Sequence, residues 1–368
     1  MAHVDLAVFA ATSGHSGVDR VLGNLLPAIA EMGYRVDVLG IHGHGPVFEN
    51  VPSGMSHLHL PVDHVLPALP HLVRYLRRER PHVLLSDKDR VNRTAWLARA
   101  LAGGSTRLAL RQGTTVSINL ASRGWWDRTL QTWSMRTLYR RADCVLVPSQ
   151  GAALDLAHYA KLSPEAVRAV PSPIVKADMA TRSAEPTAHP WFNDGGPPVI
   201  LGVGELSSRK DFATLVRAYA RLVQRVACRL MILGEGRQRG TLLSLAQELG
   251  CGDRVALPGF VPNPYPYMAR AAAFALTSRW EGMPVVLLEA LALGTPAVAC
   301  DCPSGPREVL QDGRYGPLVP MGDDVALADA MEGLLRAPPD RDFLRQAAAP
   351  YTVEASARAY LAAMGLTR

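Results

Sequence analysis

Short apolar runs alternate with amphipathic stretches along the whole chain, and the alternation restarts near its midpoint. In the first half, VDLAVFA (4–10), YRVDVLGI (34–41), HVLLS (82–86), RLALR (107–111) and CVLVPS (144–149) read as strands. Their apolar character is almost continuous, which predicts a parallel sheet buried on both faces. A loop of small residues, 11–17, follows the first run and leads into a helix through Met32, which Gly33 ends. In the second half, VILGVG (199–204), CRLMILGEG (228–236), RVALPGF (254–260), AFALTS (273–278) and PAVAC (296–300) repeat the strand pattern. Helical periodicity fills 211–224, the stretch ending near Gly250, and 353–364.

Between the halves, residues 171–198 are rich in proline and lack periodicity. The expected organisation is an α/β chain with a Rossmann-like parallel-sheet domain over 1–175, a linker over 176–197, a second such domain over 198–350, and a C-terminal helical segment, 351–368, packing back on the first domain. In sheets of this kind ligands collect at the carboxyl ends of the strands.

Length agrees with two domains: 368 residues exceed what one ordinary core serves. A hydrophobic content of 48% with 20% charged residues fits a soluble globular protein. No apolar run reaches membrane-spanning length, and no secretory signal pattern opens the chain. The five cysteines are odd in number and form no CxxC pair, so a reduced, cytoplasmic chain is expected rather than a disulfide framework. No His/Cys group has zinc spacing.

Charge is distributed unevenly. Residues 1–180 hold 20 Lys+Arg and 14 Asp+Glu, a surplus of 6; the totals of 39 and 33 leave 19 and 19 for the rest, a surplus of zero. A first half with all the excess positive charge suits an anionic partner there: a membrane surface, a phosphate-bearing acceptor or nucleic acid. An ordinary arginine-rich composition explains the same count. No recognised nucleic-acid module accompanies it.

The densest chemistry lies in SRWEGMPVVLLEALALGTPAVACDCPSGPREVL (278–310). Glu281 and Glu289 are separated by seven residues, with Gly282-Met283-Pro284 after the first. Pro284 suits the start of a helix and Gly294-Thr295-Pro296 its end. Glu281 then precedes the helix and Glu289 lies inside it, and the helix N-terminus favours a diphosphate. A capped surface helix with acidic residues near its start fits the pair equally well; the flanks decide.

Together with GELSSRKDF (204–212), LMILGEGRQRGTLLSLAQELG (230–250) and RVALPGFV (254–261), this block resembles the retaining glycosyltransferases of family 4, the Glu-x7-Glu superfamily with the GT-B fold. The resemblance is strong over 198–340 and looser in the first half, through GHSGVDRV (14–21) and the helix after it. It implies two Rossmann-like domains facing across a cleft, with a nucleotide-sugar held mostly by the second. Carried over, Glu289 accepts from the ribose hydroxyls, as a carboxylate can from two adjacent O–H groups. Glu281 binds the donor sugar, and Lys210 neutralises the diphosphate. Backbone around Gly282, Met283, Pro284 and Val285 lines the sugar and phosphates, though Pro284 has no N–H. Gly17, Gly204, Gly234 and Val261 complete the donor set.

The chain departs from the family in three places. Glu205 stands where many members have arginine after the first glycine, and Arg209 is expected to supply the missing cation. Only Ser16-Gly17 precede the Asp19-Arg20 pair, where two glycines are frequent. Gln112-Gly113 replace a histidine that many members place near the donor sugar. Arg111, Gln112, Asp87 and Asn92, with Thr114, are the acceptor-side candidates. Asp87-Lys88-Asp89 has the spacing of a metal motif from a different glycosyltransferase fold, but no metal or other cofactor is expected.

The resemblance also implies front-face transfer, in which the departing phosphate helps take the acceptor's proton. Glu281 is then no glycosidase-like nucleophile, and Lys210 and Arg209 stabilise the leaving group. Segment 302–310 is similar to bacterial enzymes that build surface polysaccharides or lipid-linked glycans, and the choice of a UDP-sugar donor rests on that similarity. The alternatives are a GDP-mannose-dependent mannosyltransferase and a non-catalytic partner of an active enzyme. A nucleotide-sugar 2-epimerase shares the fold but not the Glu-x7-Glu signature, and a dinucleotide-binding GxGxxG is missing from 12–21.

The remaining signal is SRGWWDRTLQTWSMRTLYRR (122–141), which holds three of the six tryptophans among arginines. With LVRYLRRERP (72–81) it fits peripheral contact with an anionic membrane carrying a polyprenyl-diphosphate-linked acceptor. Core tryptophans with solvated arginines would read the same way.

Overall fold

The computed structural model describes residues 3–12, 14, 17–48, 51–121 and 124–367. Two compact units emerge: Met1–Ile174 with Thr352–Arg368, and Val175–Tyr351.

The first unit is built on seven parallel strands: β1 (Leu6–Phe9), β2 (Val36–Ile41), β3 (Met55–Leu60), β4 (Val83–Asp87), β5 (Arg107–Arg111), β6 (Cys144–Val147) and β7 (Val167–Ala169). Their spatial order is β3-β2-β1-β4-β5-β6-β7. Connecting helices are α1 (Gly17–Glu31), α2 (Leu69–Glu79), α3 (Asp89–Ala102), α4 (Val116–Ala121), α5 (Trp125–Thr137) and α6 (Gln150–Ala160). Side chains alternate between the two faces, as a strand requires. Ala7 and Phe9 of β1 join Leu84, Leu108 and Leu110 under α2, α3 and α6. Leu6 and Val8 join Val83, Leu85 and Ala109 against α1. Both faces are therefore dry, which explains the continuous apolar runs.

The second unit carries β8 (Val199–Val203), β9 (Arg229–Leu233), β10 (Val255–Gly259), β11 (Ala273–Leu276), β12 (Ala297–Cys300) and β13 (Leu318–Val319), ordered β10-β9-β8-β11-β12-β13. Its helices are α7 (Met179–Ser183), α8 (Phe212–Leu222), α9 (Arg239–Glu248), α10 (Tyr265–Arg270), α11 (Val285–Ala292), α12 (Pro306–Val309), α13 (Asp324–Arg336) and α14 (Arg341–Gln346). The order reverses between β8 and β11, as it does between β1 and β4 in the first unit, and each reversal opens a crevice at the strands' carboxyl ends.

Residues 176–197, read above as a linker, belong to the second unit. Arg270 Nη1 donates to Ser183 O at 3.1 Å, Asn263 Nδ2 to Arg182 O at 3.0 Å, and Arg229 Nη1 pairs with Asp194 at 2.8 Å. Proline content dictates an irregular backbone there, and the side chains of α10 and its neighbours satisfy that backbone's carbonyls. The final helix, α15 (Val353–Met364), returns to the first unit. It buries Ala357, Tyr360, Leu361 and Met364 in the same cluster as Leu22, Leu25 and Ile29 of α1.

All five cysteines are free and buried. Burial pushes the thiols of Cys144, Cys228 and Cys300 up to about 11 and that of Cys302 up to about 12. A thiol held neutral in the fold stabilises it below the ordinary value of 9.0 and ceases to do so as pH climbs through the raised one. The melting temperature should therefore fall as pH is raised from about 9 toward 12. Below that window native protein should react with a thiol reagent far more slowly than unfolded protein.

Candidate functional site

Most sequence candidates of the second unit come together beyond the carboxyl ends of β8, β9 and β11. After β8 the chain turns at Gly204, runs through Arg209 and Lys210, and enters α8. Asp211 holds a left-handed conformation, φ +46°, that suits an Asp whose short side chain bonds locally. Its carboxylate accepts from Thr214 Oγ1 at 3.0 Å and Arg279 Nε at 3.1 Å. After β11 the chain runs through Thr277 and Ser278 to Glu281. Two bonds stitch these loops: Thr277 Oγ1 donates to Lys210 O at 2.8 Å, and Arg279 N to Arg209 O at 2.8 Å.

On that frame three donors converge on Glu281. Lys210 Nζ reaches Oε1 at 2.6 Å, Ser278 Oγ reaches the same oxygen at 2.7 Å, and Arg209 Nη1 reaches Oε2 at 3.3 Å. Glu281 and Lys210 are buried, whereas the Arg209 side chain is 37% exposed. Two cations face one carboxylate, so the cluster keeps a net positive charge at its open side. Glu205 is exposed and is not among the groups bonded to it.

The glycine at 234, after β9, has a steric reason. A Cβ there would lie 1.9 Å from Gly204 O, so the two strand ends pass in backbone contact. Pro284 is the N-cap of α11, and Glu289 lies about one turn inside it. Glu289 is buried, and Tyr265 Oη donates to its Oε1 at 3.1 Å. The segment after β12 folds over the same loop: Ser304 Oγ donates to Gly282 O at 3.3 Å, and Gly305, φ +99°, leaves room for Pro284. Gly282 and Met283 are half-buried between these pieces, and Val261 is half-buried after β10. Val285 differs from expectation. Its N–H donates to Met283 O at 2.9 Å and so is spent inside the turn.

Ser278, Tyr265 and Cys302 were not singled out from sequence. Ser278 stands three residues before Glu281, a usable signal. Tyr265 is placed by α10 and has none. Cys302 is held neutral by burial, reinforced by the nearby Glu281 charge.

In the first unit the structure separates the four acceptor-side candidates. Arg111 and Asp87 form a buried ion pair, and Arg111 Nε donates to Tyr360 Oη of α15 at 2.8 Å. Burial alone works against the guanidinium's charge, and Asp87 with Tyr360 more than offsets it, so its pKa lies above the ordinary arginine value. Asn92 donates to Arg111 O at 3.0 Å and Tyr139 Oη at 2.9 Å, and accepts from Ser86 Oγ at 2.7 Å. Arg111 and Asn92 are thus scaffold: every polar face is turned to protein. Asp87 and Gln112 instead line a cavity of about 300 Å³ with Thr114, Asn119 and Gln131. Gln112 Oε1 is buried there without a hydrogen-bond partner. Gly17 is exposed at the start of α1, and Thr12 Oγ1 donates to Asp19 nearby. Ser16 lies outside the described residues. The carboxylates of the Asp87-Lys88-Asp89 stretch are engaged by Arg111 and Arg93. Among the described residues no group of three or more His, Cys, Asp or Glu is placed to hold a metal ion.

Residues 186–350 match the family model for glycosyl transferases group 1, and residues 16–173 that for a glycosyl transferase 4-like domain. The chain is 30% identical over 357 residues to the N-acetylgalactosamine-N,N'-diacetylbacillosaminyl-diphospho-undecaprenol 4-alpha-N-acetylgalactosaminyltransferase of Campylobacter jejuni, covering 93% of this chain and 92% of that one. It is 28% identical over 327 residues to the lipopolysaccharide core biosynthesis glycosyltransferase LpsE of Rhizobium meliloti, covering 87% and 85%. The structure of HepE from Anabaena in complex with UDP shares the fold with a TM-score of 0.79 at 16% identity, over 99% of this chain and 100% of that one.

Two sets of variants test the geometry. Lys210→Met leaves Glu281 short of its nearest cation and should cost about 3 kcal/mol of stability, while Lys210→Met with Glu281→Gln should recover most of it. Tyr360→Phe removes a partner of a buried guanidinium and should cost about 1–3 kcal/mol. Chemical denaturation of the purified variants measures both.

Proposed function

This chain belongs to the GT-B glycosyltransferases, and we propose that it moves a sugar from a UDP-sugar to a glycan or lipid-linked acceptor with retention at the anomeric carbon. One observation carries the reading: Lys210, Arg209 and Ser278 converge on Glu281 where the strand order of the second sheet reverses. The Campylobacter relative, by its name, acts on a diphospho-undecaprenol acceptor, and HepE is described in complex with UDP; both support the choice of substrates.

In the proposed reaction the acceptor hydroxyl oxygen bonds to the anomeric carbon on the face that the diphosphate leaves. The carbon–oxygen bond to the diphosphate breaks with its electron pair, and the hydroxyl proton passes to a departing phosphate oxygen. The products are the glycoside and UDP. Lys210 and Arg209 stabilise the charge that develops on the leaving group, and the stitched loops hold them there beforehand. Glu281 orients the sugar through its hydroxyls. Both of its oxygens already accept hydrogen bonds, which makes it a poor nucleophile and supports a route without a covalent intermediate. Glu289 takes the ribose hydroxyls, with Tyr265 fixing its rotamer. Asp87 and Gln112, at the cavity of the first unit, are the acceptor-side groups. No step calls for a metal.

Thermal denaturation with UDP, GDP, ADP or no nucleotide tests the donor site. A ligand at about 100 times its dissociation constant adds roughly 2.7 kcal/mol to the folded state. Selective stabilisation by UDP, lost in Glu289→Ala, is the expected result. Selective stabilisation by GDP would replace the donor with a mannosyl-type one. No response to any nucleotide would favour a non-catalytic partner.

A further inference from the structure

Helix α5 wears its apolar side outward. At about 100° per residue, Trp125, Trp126, Thr129, Leu130, Trp133 and Thr137 fall within one stripe about 140° wide. Gln131, Ser134 and Met135 occupy the opposite side and are buried. The outer stripe is open: Trp126 is 77% exposed, Trp125 59%, Trp133 54% and Leu130 47%. An exposed cluster of three tryptophans calls for an occupant, because scattered single apolar residues are the norm and clustered ones are not.

Arg136 falls near one edge of the stripe, and the two hydroxyls within it are already satisfied. Thr129 Oγ1 donates to Trp125 O at 2.9 Å, and Thr137 Oγ1 to Trp133 O at 2.6 Å. Both hydroxyls spend their donors on the helix itself, so the stripe can leave water without stranding one. Charge flanks it. Arg128, Arg136, Arg140 and Arg141 stand against one carboxylate, Asp127, within 124–141. Arg136 Nε donates to Tyr159 O at 3.3 Å and Arg140 Nη2 to Lys161 O at 2.7 Å; these are neutral carbonyls that leave the positive charges uncancelled.

We propose that α5 seats the first unit on an anionic lipid surface, its tryptophans in the interface and its arginines on the lipid phosphates. Charge decides the occupant. A second copy placed on this face would set four arginines against four, whereas anionic headgroups complement them. The inner side of α5 gives the seat a consequence. Gln131 lines the cavity shared by Asp87 and Gln112, so the docked helix holds that cavity beside the lipid. The inference rests on α5 and not on the donor assignment. Ser122 and Arg123 of the same basic stretch lie outside the described residues.

Cosedimentation of the full chain with vesicles tests it. Binding is expected to vesicles of phosphatidylcholine mixed with phosphatidylglycerol, to weaken with salt, and to be slight with phosphatidylcholine alone. Trp126→Ser with Trp133→Ser should lower the partition about tenfold. Arg128→Gln with Arg136→Gln should lower it about tenfold and flatten the salt dependence. These side chains are exposed, so unchanged melting temperatures and an unchanged nucleotide response show that fold and donor site survive. Failure to bind the mixed vesicles, or equal binding by the tryptophan variant, overturns the proposal. So does a lipid-free dimer that the tryptophan variant dissociates, since a second copy would then be the occupant.

Discussion

The buried Lys210–Glu281 pair is the interaction around which the second unit's loops are arranged. Its partners come from loops 71 residues apart, yet both loops leave neighbouring strands at the point where the sheet order reverses. Desolvating a carboxylate is costly unless its oxygens are filled, and here Lys210, Ser278 and Arg209 fill them. The Thr277 hydroxyl and the Arg279 N–H also tie the two loops together through the carbonyls of Lys210 and Arg209, which holds the charged side chains near each other. Geometry of this kind is what a charge-stabilising site needs, because its dipoles and cations are in place before any reaction begins.

The first unit uses the same device to a different end. Asp87 and Arg111 pair at the ends of adjacent strands, β4 and β5, but α15 closes over them through Tyr360, and Asn92 takes the Arg111 carbonyl. Both members of that pair are buried. In the second unit Arg209 stands partly in solvent beside a pair already satisfied. The comparison explains why two similar ion pairs have different meanings: one fastens the C-terminal helix to a sheet, and the other leaves a positive charge facing outward.

Most of the strands that could be read from the sequence are interior ones buried on both faces, and the edge strand β10 was read as well. β3, β7 and β13 escaped, and all three are sheet edges. β3, MSHLHL, carries polar residues on both faces because neither is fully covered, and β13 has two residues. For the site, the order of Gly204, Lys210, Glu281 and Glu289 along the chain was legible, since strand–loop–helix succession fixes which loop end each occupies. Partner choice was not. Nothing local says that Lys210 grips Glu281, that Tyr265 meets Glu289, or that Val285 spends its N–H on Met283. Arg111 and Asn92 sit at a strand end and a helix start, where ligands bind, and only packing by Tyr139 and Tyr360 shows them to be scaffold.

Charge gives the two halves distinct physics. The second half is neutral in sum, so any attraction for a diphosphate comes from a local arrangement: two cations within hydrogen-bond reach of one carboxylate. Such short-range, partly buried charges are screened little by salt. The surplus of the first half is spread over exposed side chains, where attraction fades beyond a Debye length of about 8 Å at physiological ionic strength. A surface of that kind gathers weakly and reversibly, and an apolar stripe beside it converts nearness into insertion. On the proposed reading, donor capture and lipid seating respond differently to salt. An enzyme whose acceptor is confined to a surface while its donor diffuses freely is suited by that difference.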